Sequence, residues 1–225
     1  LAACIHLKQM GLDPLLQMVT RDRNRLSMQA DILGAYSHGV DNMLCLSGDH
    51  PKFGDHPMAA NVHDIDSVQF LQMVKGMRDD GKFQGGEEIK EPPKMFIGAA
   101  ANPFADPYEL RVARLAKKAA AGADFVQTQC IYNMDKFKQW MKAVVDRGLH
   151  EKIYVLAGIT PMKSAGMARY MKNKVPGMDV PTELVKRIAG VEKKKQAAEG
   201  ITIAVEQIQE LKEVEGVAGF HIMAI

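Results

Sequence analysis

Asn42-Met43-Leu44-Cys45-Leu46-Ser47-Gly48-Asp49-His50-Pro51 is an apolar run that stops at a Gly-Asp pair and opens into a loop rich in histidine and proline. A run this short, bounded by a turn signal, reads as a fully buried strand. A carboxylate at the carboxyl end of such a strand stands where α/β folds carry their chemistry, which makes Asp49 the first candidate functional residue. The plainer alternative is that Gly48-Asp49 only punctuates a turn.

Working outward, the same alternation repeats. Upstream, residues 1–10 read as the end of a helix closed by Gly11, and residues 15–20 as a strand. Leu26, Ala30, Leu33 and Ala35 then trace a helix that ends at Ser37-His38-Gly39. Downstream, the loop of residues 48–63 holds a short echo, Gly48-Asp49-His50-Pro51 and Gly54-Asp55-His56-Pro57. Asp64 and Asp66 precede the periodic run Val68, Leu71, Val74 and Met77, as acidic residues should at a helix start. Residues 79–93 are polar and glycine-rich, a surface excursion.

Residues 94–101 supply another strand, after which Asp106 is expected as N-cap and Pro107 as first residue of a helix reaching Gly122. Strand 124–129, helix 135–147 and strand 153–159 follow. Two helical pieces, 163–174 and 181–190, are separated by Val175-Pro176-Gly177, because proline cannot continue the first. A long helix over 197–213 and a strand over 219–225 complete the pattern. Strand alternating with helix, without a hairpin signal, argues for a parallel sheet with right-handed crossovers. The pattern suits equally a six-stranded doubly wound sheet and the last six strands of a (β/α)8 TIM barrel. The G-x-G-x-x-G fingerprint and the P-loop are both absent.

Composition narrows the classes. The 225 residues, 47% apolar and 25% charged, suit one globular domain with a real core. A net charge of +2 gives no reason to expect nucleic acid or an anionic membrane surface. Cys4, Cys45 and Cys130 are odd in number and widely spaced, which indicates neither a disulfide framework nor a zinc knuckle and points to a reducing, cytoplasmic setting. No apolar run is long enough to insert in a membrane.

The strand ends assemble a polar rim: residues 17–20, Ser47-Gly48-Asp49-His50, Asn102, Thr128-Gln129 and Thr160. One carboxylate, amides at Asn102 and Gln129, and exposed backbone at Gly48 suit a heterocyclic ligand held by hydrogen bonds to its ring. A serine hydrolase is not indicated, since no G-x-S-x-G exists. His50, His56 and His63 with Asp49, Asp55 and Asp64 match no regular ligand spacing, so no metal is expected and the loop reads as solvated or ligand-covering. Lys117-Lys118 can reach a phosphate or simply form a solvated helix face. Cys45 and Cys130 read as small core residues, and residues 192–195 as an exposed charged turn.

Leu46-Ser47-Gly48-Asp49, Ala121-Gly122-Ala123-Asp124-Phe125-Val126-Gln127-Thr128-Gln129, Leu156-Ala157-Gly158-Ile159-Thr160-Pro161 and Gly216-Val217-Ala218-Gly219-Phe220-His221 together resemble the methylenetetrahydrofolate reductase family. Gly98-Ala99-Ala100-Ala101-Asn102-Pro103-Phe104 and Met171-Lys172-Asn173-Lys174-Val175-Pro176-Gly177-Met178 resemble its acetogenic-bacterial members most. The resemblance implies a flavin-dependent (β/α)8 barrel that reduces 5,10-methylenetetrahydrofolate to 5-methyltetrahydrofolate. It decides for the barrel, of which this chain carries the last six strands as a single domain. Roughly 50 to 70 residues, two strands and their helices, are then expected upstream of Leu1, with trimming at the carboxyl end also open.

By the same resemblance Asp49 lies beside flavin and pterin, and Gln129 contacts folate and reductant. Lys118 lies near the flavin phosphates, with Lys117 in place of an arginine, and His63-Asp64 falls at a flavin-contacting position. Gln17 and Asn102 stand where the family has histidine, and Ser47 where it has arginine, so the implied FAD has FMN, a shorter flavin, as its alternative. The family's general-acid glutamate belongs to its first strand. The implied partners are folate, NAD(P)H or a reduced protein donor, an iron–sulfur subunit, and further copies in an oligomer. The rival readings are a flavin-free folate or corrinoid methyltransferase barrel and a non-catalytic scaffold of an electron-transfer complex.

Overall fold

A computed structural model describes residues 1–224, and shows six strands alternating with helices in the α/β pattern of the (β/α)8 barrel. The chain forms two compact units: residues 1–100 with 117–124, and residues 101–116 with those from 125 onward.

In the first unit α1 (Ala2–Gln9) precedes β1 (Leu15–Val19), α2 (Arg25–Ser37), β2 (Asn42–Leu46), α3 (Ser67–Lys75) and the greater part of β3 (Phe96–Ala101). β2 pairs in parallel with β1, Met43 opposite Leu16, and with β3, Met43 opposite Ile97. Met43, Leu44 and Cys45 are buried, as a strand covered on both faces requires. The acidic start of α3 is a complete capping box: Asp66 accepts from the Val68 and Gln69 N–H groups, and Gln69 accepts from the Asp66 N–H. This fixes which helical face reaches the core, where Phe70, Leu71 and Val74 are buried; Met28 and Ile32 of α2 are buried too.

α3 does not stop at the polar stretch. It continues through one π turn, Gly76–Asp80, and ends at Gly81 in the left-handed conformation. Beyond it Lys82 and Glu88 form a small antiparallel bridge around a turn at Gly86, a local hairpin that the strand pattern did not predict. The first unit is completed from further along the chain by the end of α4 (Leu110–Ala120) and the residues after it. Asp124 is the pin: its N–H donates to the Ile97 carbonyl, while one carboxylate oxygen accepts from the Ile97 N–H at 2.7 Å and from Arg78 at 2.6 Å.

The expected helix start at Asp106-Pro107 is corrected. Pro107 and Tyr108 carbonyls accept from Leu110 and Arg111 N–H groups in three-residue turns, and regular α4 begins only at Leu110. The Asn102 side chain accepts from the Phe104 and Ala105 N–H groups just before, so the segment is organised as an Asx turn.

In the second unit β4 (Phe125–Cys130), β5 (Tyr154–Ile159) and β6 (Val217–Ile222) are parallel, with α5 (Met134–Asp146), α6 (Ala165–Lys174), α7 (Thr182–Ala189) and α8 (Gln196–Lys212) between them. Asn133 and Ser164 cap α5 and α6. Phe137, Trp140, Met141 and Val144 give α5 a fully buried face, while Cys130, Tyr132, Met162, Ala168, Ile188 and Ile203 form a second cluster with α6, α7 and α8. α8 lies so close to the loop before α6 that a Cβ on Gly200 would sit 1.9 Å from the Met162 carbonyl oxygen. The last strand ends at Ile222, and the Ile225 end of the expected strand lies outside the described residues. Among the described residues no helix is long and apolar enough to cross a membrane.

Candidate functional site

In the first unit the polar residues collect where β1 and β2 end. The parallel ladder runs one step past both strands: Thr20 N–H donates to the Leu46 carbonyl and Arg21 N–H to the Ser47 carbonyl. Gly48 then turns with φ +85°, a conformation that disfavours any side chain. A Cβ there would also lie 3.0 Å from Val19 and 3.2 Å from Arg21. The turn therefore needs glycine on two grounds, and it delivers Asp49 to the surface.

Arg21 holds that turn. One guanidinium nitrogen donates to the Asp49 carbonyl at 2.8 Å, while the other two form a fork on Asp22 at 2.6 and 2.8 Å. Asp22 first, and the Asp49 charge more weakly, hold the Arg21 guanidinium in its charged form. With its main chain tied down, Asp49 keeps an exposed carboxylate on an open cleft of about 370 Å³, shared with Arg21, Asp22, His50, Phe53 and His56. His50 caps the short 3₁₀ turn Pro51–Phe53 through its Nδ1.

Gln17 is exposed within β1 between buried Leu16 and Met18, and Ser47 and Gly48 are exposed beside Asp49. His63, with φ +42°, donates its N–H to the Thr20 carbonyl and so returns the loop to the end of β1. Asp64 is engaged: Arg25 grips both carboxylate oxygens, at 2.7 and 3.0 Å, and adds its main-chain N–H. The Arg25 side chain, then its backbone, holds the Asp64 carboxyl at about 2. This pair lines a different cleft, with Asn24, Gln29 and Gln84. Lys118 is half-buried and donates to the Ala100 carbonyl, whereas Lys117 is exposed.

In the second unit Asn102 is half-buried and forms the Asx turn, and the Gly177 main chain passes so close that a Cβ would lie 2.4 Å from the Asn102 amide nitrogen. Gln129 is exposed within β4, between buried Thr128 and Cys130. Cys130 meets the Thr160 hydroxyl at 2.9 Å, and Tyr132 donates to the Thr160 carbonyl at 3.1 Å. Burial pushes the Cys130 and Cys45 thiols up, which leaves both poor nucleophiles. Among the described residues no three His, Cys, Asp or Glu side chains are placed to hold a metal ion.

The turn at Gly48 was readable as a sequence motif, but Arg21 was not singled out. Its only signal was a charged cluster, Arg21-Asp22-Arg23, directly after a strand. Thr128 was likewise seen only as the neighbour of Gln129.

A family model described as Methylenetetrahydrofolate reductase matches residues 1–225. Methylenetetrahydrofolate reductase 2 of Schizosaccharomyces pombe is 24% identical over 99% of this chain and 33% of its own length. Methylenetetrahydrofolate reductase (NADH) 1 of Arabidopsis thaliana is 25% identical over 84% of this chain and 32% of its own length. The chain thus spans about a third of the curated relatives it matches. Among solved structures, an uncharacterized protein from Clostridium thermocellum that binds two copies of 5-methyl-5,6,7,8-tetrahydrofolic acid has a TM-score of 0.56 at 15% identity, covering 93% of this chain and 65% of that one. At that identity the likeness is one of fold.

Proposed function

The chain belongs to the methylenetetrahydrofolate reductase family, and on that premise we propose that it carries the reducing barrel of an enzyme converting 5,10-methylenetetrahydrofolate to 5-methyltetrahydrofolate. What carries the reading to particular atoms is Asp49: an exposed carboxylate on a main chain immobilised by Arg21 and the Gly48 turn. A preorganised charge of this kind stabilises an opposite charge without reorganising during reaction. The folate opens to a cationic iminium before it is reduced, and Asp49 faces that cation. Gln129, an exposed amide with both donor and acceptor, orients the pterin or the electron donor.

The residues present fit a flavin. Gln17, Ser47 and the main chain at Gly48 are uncharged hydrogen-bonding groups suited to a heteroaromatic ring edge, and the exposed ammonium of Lys117 suits a phosphate. The buried Thr20 hydroxyl at the end of β1 has no protein partner among the described residues. When bound, a flavin, FAD or the shorter FMN, supplies the two-electron redox chemistry. Lys118 supports the end of β3 through the Ala100 carbonyl; Asp64 shapes its own cleft through Arg25 and reaches a flavin only if that pair opens. Electrons come from NADH, NADPH or a reduced protein such as an iron–sulfur subunit.

The test uses the full-length protein reconstituted with FAD and, separately, with FMN. Stopped-flow traces should show reoxidation of the reduced flavin by 5,10-methylenetetrahydrofolate. Asp49→Asn should slow that half-reaction by about 10²–10³, the usual cost of losing one preorganised electrostatic contact, while reduction of the flavin by its donor changes far less. Failure to retain either flavin would point instead to a flavin-free folate protein. Equal slowing of both half-reactions would reduce Asp49 to a structural residue of the turn.

A further inference from the structure

The register of β4 against β5 slips by one residue where Gln129 stands. Gln127 lies opposite Leu156 and Cys130 opposite Gly158, so Thr128 and Gln129 together face Ala157 alone. This is a β-bulge, a device that re-aims a side chain at the cost of one regular ladder bond. The bond given up is replaced by a side chain. Gly158 N–H donates to the Thr128 hydroxyl at 2.9 Å, and that hydroxyl donates in turn to the Gln129 carbonyl at 2.9 Å. Thr128 is 3% exposed and Gly158 is buried, so water offers no substitute for either bond.

The bulge also needs Gly158 itself. A Cβ there would fall 2.4 Å from the Thr128 carbonyl oxygen and 2.8 Å from that of Gln129. β5 is thus pressed directly on the backbone of the two bulged residues. Beyond them regular pairing resumes, with Ile131 N–H on the Gly158 carbonyl. One hydroxyl, on the residue before Gln129, closes the irregular stretch and sets the carbonyl, and hence the Cα direction, of Gln129.

We infer that Thr128 is a positioning residue for Gln129: its hydroxyl holds the bulge that presents the amide to the folate ring. The inference rests on the role of Gln129 proposed above. It adds a residue that touches neither folate nor flavin and acts only through its neighbour.

The test compares Thr128→Val, Thr128→Ser, Gln129→Ala and the double variant in the flavin-loaded, full-length protein. Valine keeps the branched shape and deletes both bonds; serine keeps the hydroxyl. Gln129→Ala should raise the folate KM, and Thr128→Val should raise it about tenfold, the equivalent of one hydrogen bond lost. Serine should hold KM within about twofold. In the Gln129→Ala background valine should add nothing further to KM, because the side chain it positions is gone, although it still lowers thermal stability. A role in stability alone would instead leave KM unmoved in every Thr128 variant. Unchanged KM in Thr128→Val beside a raised KM in Gln129→Ala overturns the positioning role and leaves that of Gln129 standing. Unchanged KM in Gln129→Ala overturns both. Should valine not yield folded protein, Thr128→Ala, which avoids any crowding, is read against serine in the same way.

Discussion

Asp49 and Asp64 show how the same side chain, in one loop-bearing stretch of chain, is put to opposite uses. Asp49 is held through its carbonyl and keeps its carboxylate exposed, while Asp64 has its carboxylate held by Arg25. The second arrangement leaves a pH signature. The folded-state value of Asp64 is about 2, below the ordinary aspartate value of about 3.9. Its contribution to stability is therefore complete above that ordinary value and is lost as pH falls through about 2. Urea midpoints of the wild type and Asp64→Asn should differ at pH 5 and converge between about pH 4 and 2. A difference that stays constant over this range would mean the Arg25 fork does not persist in solution. Neither use could be read from the sequence: Arg21 and Asp49, like Arg25 and Asp64, are far apart in the chain, and only folding makes them neighbours. The Gly48 turn was legible because its cause is local, a backbone conformation that suits glycine.

Elements whose causes are local were likewise legible. The buried strand Asn42–Leu46, the acidic entry to α3 and the break at Val175-Pro176-Gly177 all follow from neighbours within a few residues. Asp106-Pro107 misled because the Asx turn at Asn102 had already organised the segment, and the bulge in β4 was invisible because its bond donor lies on β5. Tertiary packing also decides what glycine does inside a helix. A Cβ on Gly34 in α2 would have open space, with the Leu1 side chain nearest outside the helix at 3.9 Å, so Gly34→Ala should stabilise by about 0.5–1 kcal/mol through helix propensity. A Cβ on Gly200 in α8 would lie 1.9 Å from the Met162 carbonyl oxygen. There the same propensity gain is outweighed by overpacking of about 1–3 kcal/mol or more, and Gly200→Ala should lower Tm by several degrees. Thermal melts of the two variants should move in opposite directions; a rise for Gly200→Ala would show that α8 can back away from the Met162 loop at little cost.

At the scale of the molecule the two units each hold one sealed thiol, Cys45 in the first and Cys130 in the second, at 1% and 2% exposure. Cys4 in α1 is only half-buried. Iodoacetamide in native buffer, followed by peptide mass spectrometry, should modify Cys4 and spare the other two until urea opens the unit that contains each. Modification of Cys45 as fast as Cys4 without denaturant would mean that the first unit opens locally. The two protected thiols then report separately on whether the units melt together. The first unit is also discontinuous, since Asp124 must return to Ile97 and Arg78 after the chain has left at Ala100. During synthesis this imposes a wait. At about 5–20 residues per second the ribosome needs roughly 1–5 s to make residues 101–124. For that interval a nascent chain holds the Arg78 guanidinium without Asp124, and the edge at Ile97 is unsealed. Until Asp124 arrives the first unit lacks the residue that completes it.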